Sequence, residues 1–309
     1  MQTFSIAIHG GAGTLVKGMM TSELEAAYKA ALKLALDAGY SILEKGGTSV
    51  EAVEKAVIVL EDSYLFNAGK GAVFTADETH EMDASIMSGE NLNAGAVSLI
   101  SGIKNPISLA RDVMEKSEHV FLAGEGAMQF AKINDFAIEE ASYFYDELRH
   151  KQWLEIKDTD SFQLDHAKKK DSKFGTVGAV ACDKEGNIAA ATSTGGMTNK
   201  RFGRVGDSPM IGAGNYANNK TCAISCTGSG EFFIRGVVAY DVACLIEHKE
   251  MSLLAASNEV IHKRILEIGG DGGLIAVDTK GNIAMPFNTE GMYRATKSSN
   301  GKEEISIYK

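Results

Sequence analysis

With 309 residues, 44% of them hydrophobic and 23% charged, the chain can bury a full core as one large domain or two ordinary ones, and its composition excludes a disordered or fibrous protein. A formal charge of −10 argues against nucleic acid and against anionic membrane surfaces as partners, but leaves room for a small acidic substrate, which needs only one local cation. No run reaches transmembrane length and the first residues lack a basic, then apolar, leader, so the expectation is a cytoplasmic protein; Cys182, Cys222, Cys226 and Cys244 fit no CxxC spacing and read as buried thiols.

In chain order, a short apolar strand at 4–8 comes first. Ser22 with Glu25 forms a capping-box pattern that opens an Ala/Leu-rich helix, and Gly46-Gly47 should stop it. Thr48 with Glu51 opens a second helix, to about Leu60. From 71 to about 103 the chain turns β-like, with stretches at 72–74, 82–87 and 94–100 broken by Asp, Asn and Gly. Asn105-Pro106 then introduces a helix over 107–116. Between 146 and 173 half of the residues are charged and few are large and apolar, which predicts a mobile surface linker, although a long charged loop would look the same.

The second half contains an internal echo. Residues 178–189 and 273–284 each read as a small apolar strand, an Asp-x-x-Gly-Asn turn and a second strand, so the expectation is two similar hairpins in one sheet. Asp271 stands in the second copy where Thr176 stands in the first, so only one copy offers a hydroxyl. Helices are expected over 231–248 and 252–268. Strands apolar on both faces, with helices before and between them, predict an α/β protein whose sheets are covered by helices.

Gly175-Thr176 opens the first of these strands. A threonine hydroxyl is a weak nucleophile unless a base takes its proton, and a threonine that begins a chain can use its own α-amine, with a reference pKa of roughly 7.7–8.0. By itself the pair could equally begin an ordinary strand. Farther on stand Thr192-Ser193-Thr194-Gly195-Gly196, Gly203-Arg204-Val205-Gly206-Asp207-Ser208 and Thr227-Gly228-Ser229-Gly230-Glu231. Arg204 and Asp207 could clamp the carboxylate and ammonium of an amino acid or, blandly, pair with each other on the surface. The glycines around Ser229, before a helix, suit close approach of a ligand to backbone N–H groups, but the Lys-Ser/Thr ending of a phosphate loop is absent. His9-Gly10-Gly11-Ala12-Gly13 falls short of a dinucleotide fingerprint, His9 reads as a structural hydrogen-bonding residue, and there is no Gly-x-Ser-x-Gly elbow.

Together with the His9–Gly13 segment and Phe66-Asn67-Ala68-Gly69-Lys70-Gly71, this ordered set resembles the plant-type asparaginase/isoaspartyl aminopeptidase family of N-terminal nucleophile hydrolases over nearly the whole chain. The resemblance implies a single domain, residues 1–309, with a four-layer αββα sandwich, cut between Gly175 and Thr176 into pieces 1–175 and 176–309. It implies Thr176 as nucleophile, oriented by Thr194, with Asn67 nearby. Thr227 and Gly228 would form the oxyanion hole; Arg204, Asp207, Gly228 and Gly230 would hold an aspartyl substrate. Thr192 and Thr198 are neighbours with ordinary strand or turn roles. The activity implied is hydrolysis of β-aspartyl dipeptides and L-asparagine without a catalytic cofactor, in a dimer of cleaved αβ units. A glycosylasparaginase-like enzyme and a non-catalytic aspartyl-binding homologue are the alternatives. A structural sodium ion on the main-chain carbonyls of Leu60, Glu61, Ser63, Phe66, Ala68 and Lys70 is also implied.

Overall fold

The computed structural model describes residues 3–158 and 175–309. Strand β1 (Ser5–Gly13) leads into α1 (Ser22–Glu44) and α2 (Ser49–Glu61), followed by β2 (Met82–Ser88), β3 (Ala94–Ile100) and α3 (Pro106–Lys116). Next come β4 (Phe121–Ala123), α4 (Gly124–Ile133), α5 (Ala141–Phe144) and α6 (Glu147–Leu154). After the undescribed stretch run β5 (Val177–Cys182), β6 (Ile188–Thr194), β7 (Asn215–Ala217), β8 (Ala223–Gly228), α7 (Gly230–Gly236), α8 (Val238–Lys249) and α9 (Leu253–Glu259). The chain closes with α10 (Ile265–Glu267), β9 (Gly272–Val277), β10 (Ile283–Ala284), β11 (Gly291–Ser298) and β12 (Glu303–Tyr308).

An eight-stranded sheet has the order β12-β11-β1-β5-β6-β2-β3-β4, and a four-stranded sheet the order β10-β9-β8-β7. Alternation along the strands shows how the two meet. Val177, Ala179 and Ala181 of β5 join one core with α1, α2 and α3, while Val180 and Cys182 join a second core with Ala223, Ile275 and Val277 of the smaller sheet. The opposite face of that sheet, through Ile224, Cys226, Leu274 and Ala276, packs under α8 and α9 in a third core. Each central strand is thus buried on both faces, which is why it reads as a continuous apolar run and not as an alternating one.

Several sequence expectations shift. The cap of α1 is Thr21, whose side chain accepts from Leu24 N–H, one residue before the Ser22 expected; the Thr48–Glu51 box forms as read. Residues 72–74 are buried but form no strand. The two echoed hairpins lie in different sheets, β5–β6 in the larger and β9–β10 in the smaller. Both copies are apolar on both faces, so their pattern carries no record of which sheet they join. The helix expected over 231–248 breaks at Val237, which is left-handed (φ 47°), because the first free N–H groups of α8 find acceptors outside the helix: Ala239 donates to Ala213 and Tyr240 to Gly212. The helix expected over 252–268 contains a π-turn at Val260–Arg264.

The linker expectation also needs correction at its start. Residues 147–154 form α6, which docks through buried Arg149 and Trp153; Ile156 is buried after it and its carbonyl accepts from Asn199 Nδ2. Trp153 and His150 stack beside Phe74, and His150 pairs with Glu78. Two or three buried groups therefore outweigh a charged composition. The remainder of that segment, 159–173, lies outside the described residues.

Candidate active site

The site assembles where β5 begins and β6 and β8 end. Thr176 immediately precedes β5, and the β5–β6 ladder pairs Val177 with Ser193, so the next step sets Thr176 opposite Thr194. Its hydroxyl lies 3.3 Å from Ser208 Oγ and its carbonyl 3.0 Å from His9 Nδ1. The Thr194 hydroxyl is engaged by the Gly196 N–H at 3.0 Å. In the intact chain, then, the hydroxyl of Thr176 meets Ser208, a residue the sequence reading passed over although it follows Asp207 directly. Asn67 holds the turn after Thr194: its Nδ2 donates to the Gly196 carbonyl at 2.7 Å, and its own carbonyl accepts from Gly195 N–H.

Gly175 is wedged between two walls. A Cβ on it would stand 2.7 Å from the Cα of Gly11 and 2.9 Å from Thr227 Oγ1. Gly11 itself has φ +117° and closes on the backbone of Gly175, so Gly11 and Gly175 both require glycine. Thr227 is fully buried at the end of β8, and its hydroxyl has no hydrogen-bond partner among the described residues. A buried hydroxyl without an acceptor costs about 1–3 kcal/mol, which fits a group kept for charge that develops beside it. Gly228 follows with φ +149°, packed against Asp271 and Gly272 of the neighbouring strand.

Arg204, Asp207 and Gly230 converge as a second cluster. A Cβ on Gly230 would lie 2.9 Å from Asp207 Oδ1 and 3.0 Å from an Arg204 terminal nitrogen. Arg204 Nε donates not to Asp207 but to Glu231, at 2.8 Å, and its terminal nitrogens turn towards Gly206 and Gly230. Asp207 is buried and its Oδ2 has no partner among the described residues. Burial pushes its carboxyl up to about 7, with Arg204 pulling the other way. Close by, Lys200 is also buried, its ammonium donating to the Glu81 carbonyl and lowered by burial, with the buried carboxyl of Asp83 opposing that shift.

The carbonyl loop after α2 is tightly folded. Backbone N–H groups of Ser63, Ala68 and Gly71 already donate to the carbonyls of Leu60, Phe66 and Ala68, while the Glu61, Tyr64 and Phe66 carbonyls crowd Gly69 and Gly71 so closely that any Cβ there would collide. A carbonyl has two lone pairs, so the Leu60, Phe66 and Ala68 oxygens keep acceptor capacity beside these hydrogen bonds. The Lys70 ammonium lies over the Tyr143 ring instead of entering the loop. Glu61 turns its carboxyl inward, accepting from Ser193 Oγ and the Ile107 N–H at the start of α3; burial pushes it up to about 8. No group of three His, Cys, Asp or Glu suited to a metal occurs among the described residues.

Chemically the arrangement can seat an amino acid's carboxylate and ammonium on Arg204 and Asp207 while a side-chain carbonyl meets a threonine hydroxyl. The chain belongs to the family whose model is described as Asparaginase, which matches residues 1–307, and its fold is that of the N-terminal nucleophile hydrolases. It is 49% identical to the isoaspartyl peptidase of Escherichia coli K12, with 98% of this chain and 96% of that protein covered. It is 43% identical to the isoaspartyl peptidase/L-asparaginase of Xenopus laevis (93% and 90% covered) and 42% identical to the plant-type L-asparaginase of Pyrococcus abyssi (98% and 99%).

Proposed function

We propose that the chain cuts itself between Gly175 and Thr176, and that the exposed threonine hydrolyses β-aspartyl dipeptides and L-asparagine to L-aspartate. The observation that carries this reading is the seat of Gly175: the residue before the proposed cut packs against Thr227, whose hydroxyl has no partner among the described residues, so one oxyanion donor could serve both reactions. In self-cleavage the Thr176 hydroxyl attacks the Gly175 carbonyl carbon, the C–N bond breaks to leave an ester and a free α-amine, and water opens the ester. In turnover the α-amine takes the hydroxyl proton as Oγ1 attacks the β-carbonyl and returns it to the leaving amine; water, deprotonated by the same amine, then releases aspartate from the acyl-enzyme. Gly228 N–H is the second oxyanion donor, the Gly230 carbonyl shares the substrate ammonium with Asp207, and Thr194 takes up the nucleophile once the peptide link is gone.

Thr176→Ala should remain full length on a denaturing gel and release no aspartate. A fragment beginning at residue 176 in that variant would assign the cut to an external protease. Arg204→Ala should still be cut but lose hydrolysis, since removing one partner of a buried charged contact typically costs roughly 2–5 kcal/mol. The wild type should hydrolyse β-Asp-Leu and leave α-linked Asp-Leu intact, because the α-linkage consumes the carboxylate that Arg204 holds. Comparable rates on the two isomers would point to a general aminopeptidase, and a cut but inert protein to a binding homologue.

The loop carbonyls of Leu60, Glu61, Ser63, Phe66, Ala68 and Lys70 would hold a sodium ion whose contribution is to stiffen the segment carrying Asn67. Thermal melting should then rise when sodium replaces choline at equal ionic strength; an unchanged midpoint removes the ion. The working form is a pair of cut chains in the cytoplasm, which light scattering tests by giving twice the mass of one chain.

A further inference from the structure

A buried polar chain between the two sheets begins and ends on Thr176. His9, fully buried on β1, reaches across to the Thr176 carbonyl through Nδ1 (3.0 Å) and to Ser225 Oγ on β8 through Nε2 (2.9 Å). Ser225 Oγ lies 2.7 Å from Thr192 Oγ1, which is within 3.3 Å of Asn215 Nδ2. Asn215 Nδ2 also donates to the Ser85 carbonyl, the Ser85 hydroxyl donates to the Ser208 carbonyl, and Ser208 Oγ meets the hydroxyl of Thr176. All six side chains are fully buried, in a layer that elsewhere is apolar. Gly178 makes the crossing possible: a Cβ there would stand 2.5 Å from His9 Nε2 and collide with Ser225 Oγ.

The direction of every proton in the His9 arm follows from one fact. A carbonyl only accepts, so Nδ1 carries the hydrogen and Nε2 presents a lone pair. The Ser225 hydroxyl must then donate to Nε2, which leaves its oxygen to accept from Thr192, whose oxygen in turn accepts from Asn215. Such a one-way chain polarises each bond along it. Burial holds the imidazole neutral, down to about 3, so the tautomer persists across the working range of pH.

We propose that His9 is a positioning residue for the nucleophile, holding the Thr176 carbonyl in place when Thr176 becomes a chain end. This rests on the nucleophile assignment made above. Before the cut, Gly175 packed between Gly11 and Thr227 restrains Thr176 from one side; afterwards that tether is gone, the ladder starts only at the Val177–Ser193 pair, and a chain end frays unless tied down. Fixing the carbonyl fixes the peptide plane and with it the Thr176 Cα, from which both the amine and the side chain project, so one hydrogen bond reduces the freedom of base and hydroxyl to rotation about the single Cα–C bond. His9 therefore exchanges no proton with substrate.

The test compares three variants of the full chain: His9→Leu, His9→Asn and Ser225→Ala. The side-chain amide that His9→Asn introduces can donate from the place of Nδ1 without reaching Ser225. In His9→Leu, kcat per cut chain should fall on the order of 10²-fold with KM within a few-fold, as expected for a nucleophile misplaced by about 1 Å. His9→Asn should recover most of that loss. Ser225→Ala removes the donor to Nε2 but leaves the Thr176 carbonyl to hold the hydrogen on Nδ1, so ¹⁵N spectra of labelled imidazole should keep the Nδ1–H tautomer and turnover should fall less than in His9→Leu. If His9→Leu fails to cut itself, the cut is the readout: rescue by His9→Asn supports the clamp, and equal failure of both variants makes His9 merely structural and overturns it. Wild-type turnover in His9→Leu, or loss of the acid limb of the kcat profile in His9→Asn, also overturns it. Thr176→Ala run alongside separates the two proposals: activity there sinks the nucleophile, whereas an inert Thr176→Ala beside a normal His9→Leu sinks only the clamp.

Discussion

Asp207 shows how one residue couples the site to pH. Its carboxyl is raised from an ordinary 3.8 to about 7, first by burial, against the pull of Arg204. Between those values the ligand-free fold binds more protons at this position than the unfolded chain does, so its stabilising contribution is complete below about pH 4 and is lost as pH rises through about 7. An aspartate ammonium beside the carboxyl favours the ionised form and reverses the penalty. The rise in melting temperature given by aspartate should therefore be larger at pH 8 than at pH 5, and calorimetric titration near pH 7 should show protons released to the buffer. A ligand effect that is flat across that range would take Asp207 out of the ammonium site.

At the scale of elements, the twin hairpins separate shared local chemistry from unequal roles. In both turns an aspartate Oδ1 accepts from the backbone two and four residues on: Asp183 from Glu185 and Asn187, Asp278 from Lys280 and Asn282. Asp183, however, is buried and its Oδ2 also accepts from Ser49 N–H at the start of α2, where a negative charge meets the helix dipole. Asp278 spends its Oδ2 on the neighbouring Asn282 side chain. Asp183→Ala should cost about 2–3 kcal/mol and Asp278→Ala about 1 kcal/mol, since only the former strands buried donors. Urea unfolding of the two variants measures the difference; equal midpoints would mean that the α2 contact contributes nothing.

Across the whole molecule, the strand order decides what self-cleavage can do. In the larger sheet β1, β2, β3 and β4 come from residues before the cut and β5, β6, β11 and β12 from residues after it, with β5 and β6 inserted between β1 and β2. Neither piece contains a complete larger sheet, and separating them would break the β1–β5, β1–β11 and β2–β6 ladders and open the core beneath α2. The cut protein should therefore elute from a native sizing column as one species of unchanged size, while a denaturing gel resolves two bands. Dissociation of the fragments in native buffer would contradict this topology.

The sequence by itself determined the helix starts at Thr48 and Pro106 and the paired Asp-x-x-Gly-Asn turns, and its glycine-flanked motifs offered Thr176, Thr194, Arg204, Asp207 and Thr227 as candidates, because caps, turns and such motifs act over a few residues and leave local signatures. Only the tertiary structure decided that the twin hairpins join different sheets, that α6 docks where charge suggested a linker, that Arg204 Nε pairs with Glu231 and not with Asp207, and that His9, Ser225 and Thr192 meet beneath Thr176. Those relations span tens to hundreds of residues and depend on which buried face meets which, and a chain buried on both faces writes the same apolar pattern whichever neighbour it has.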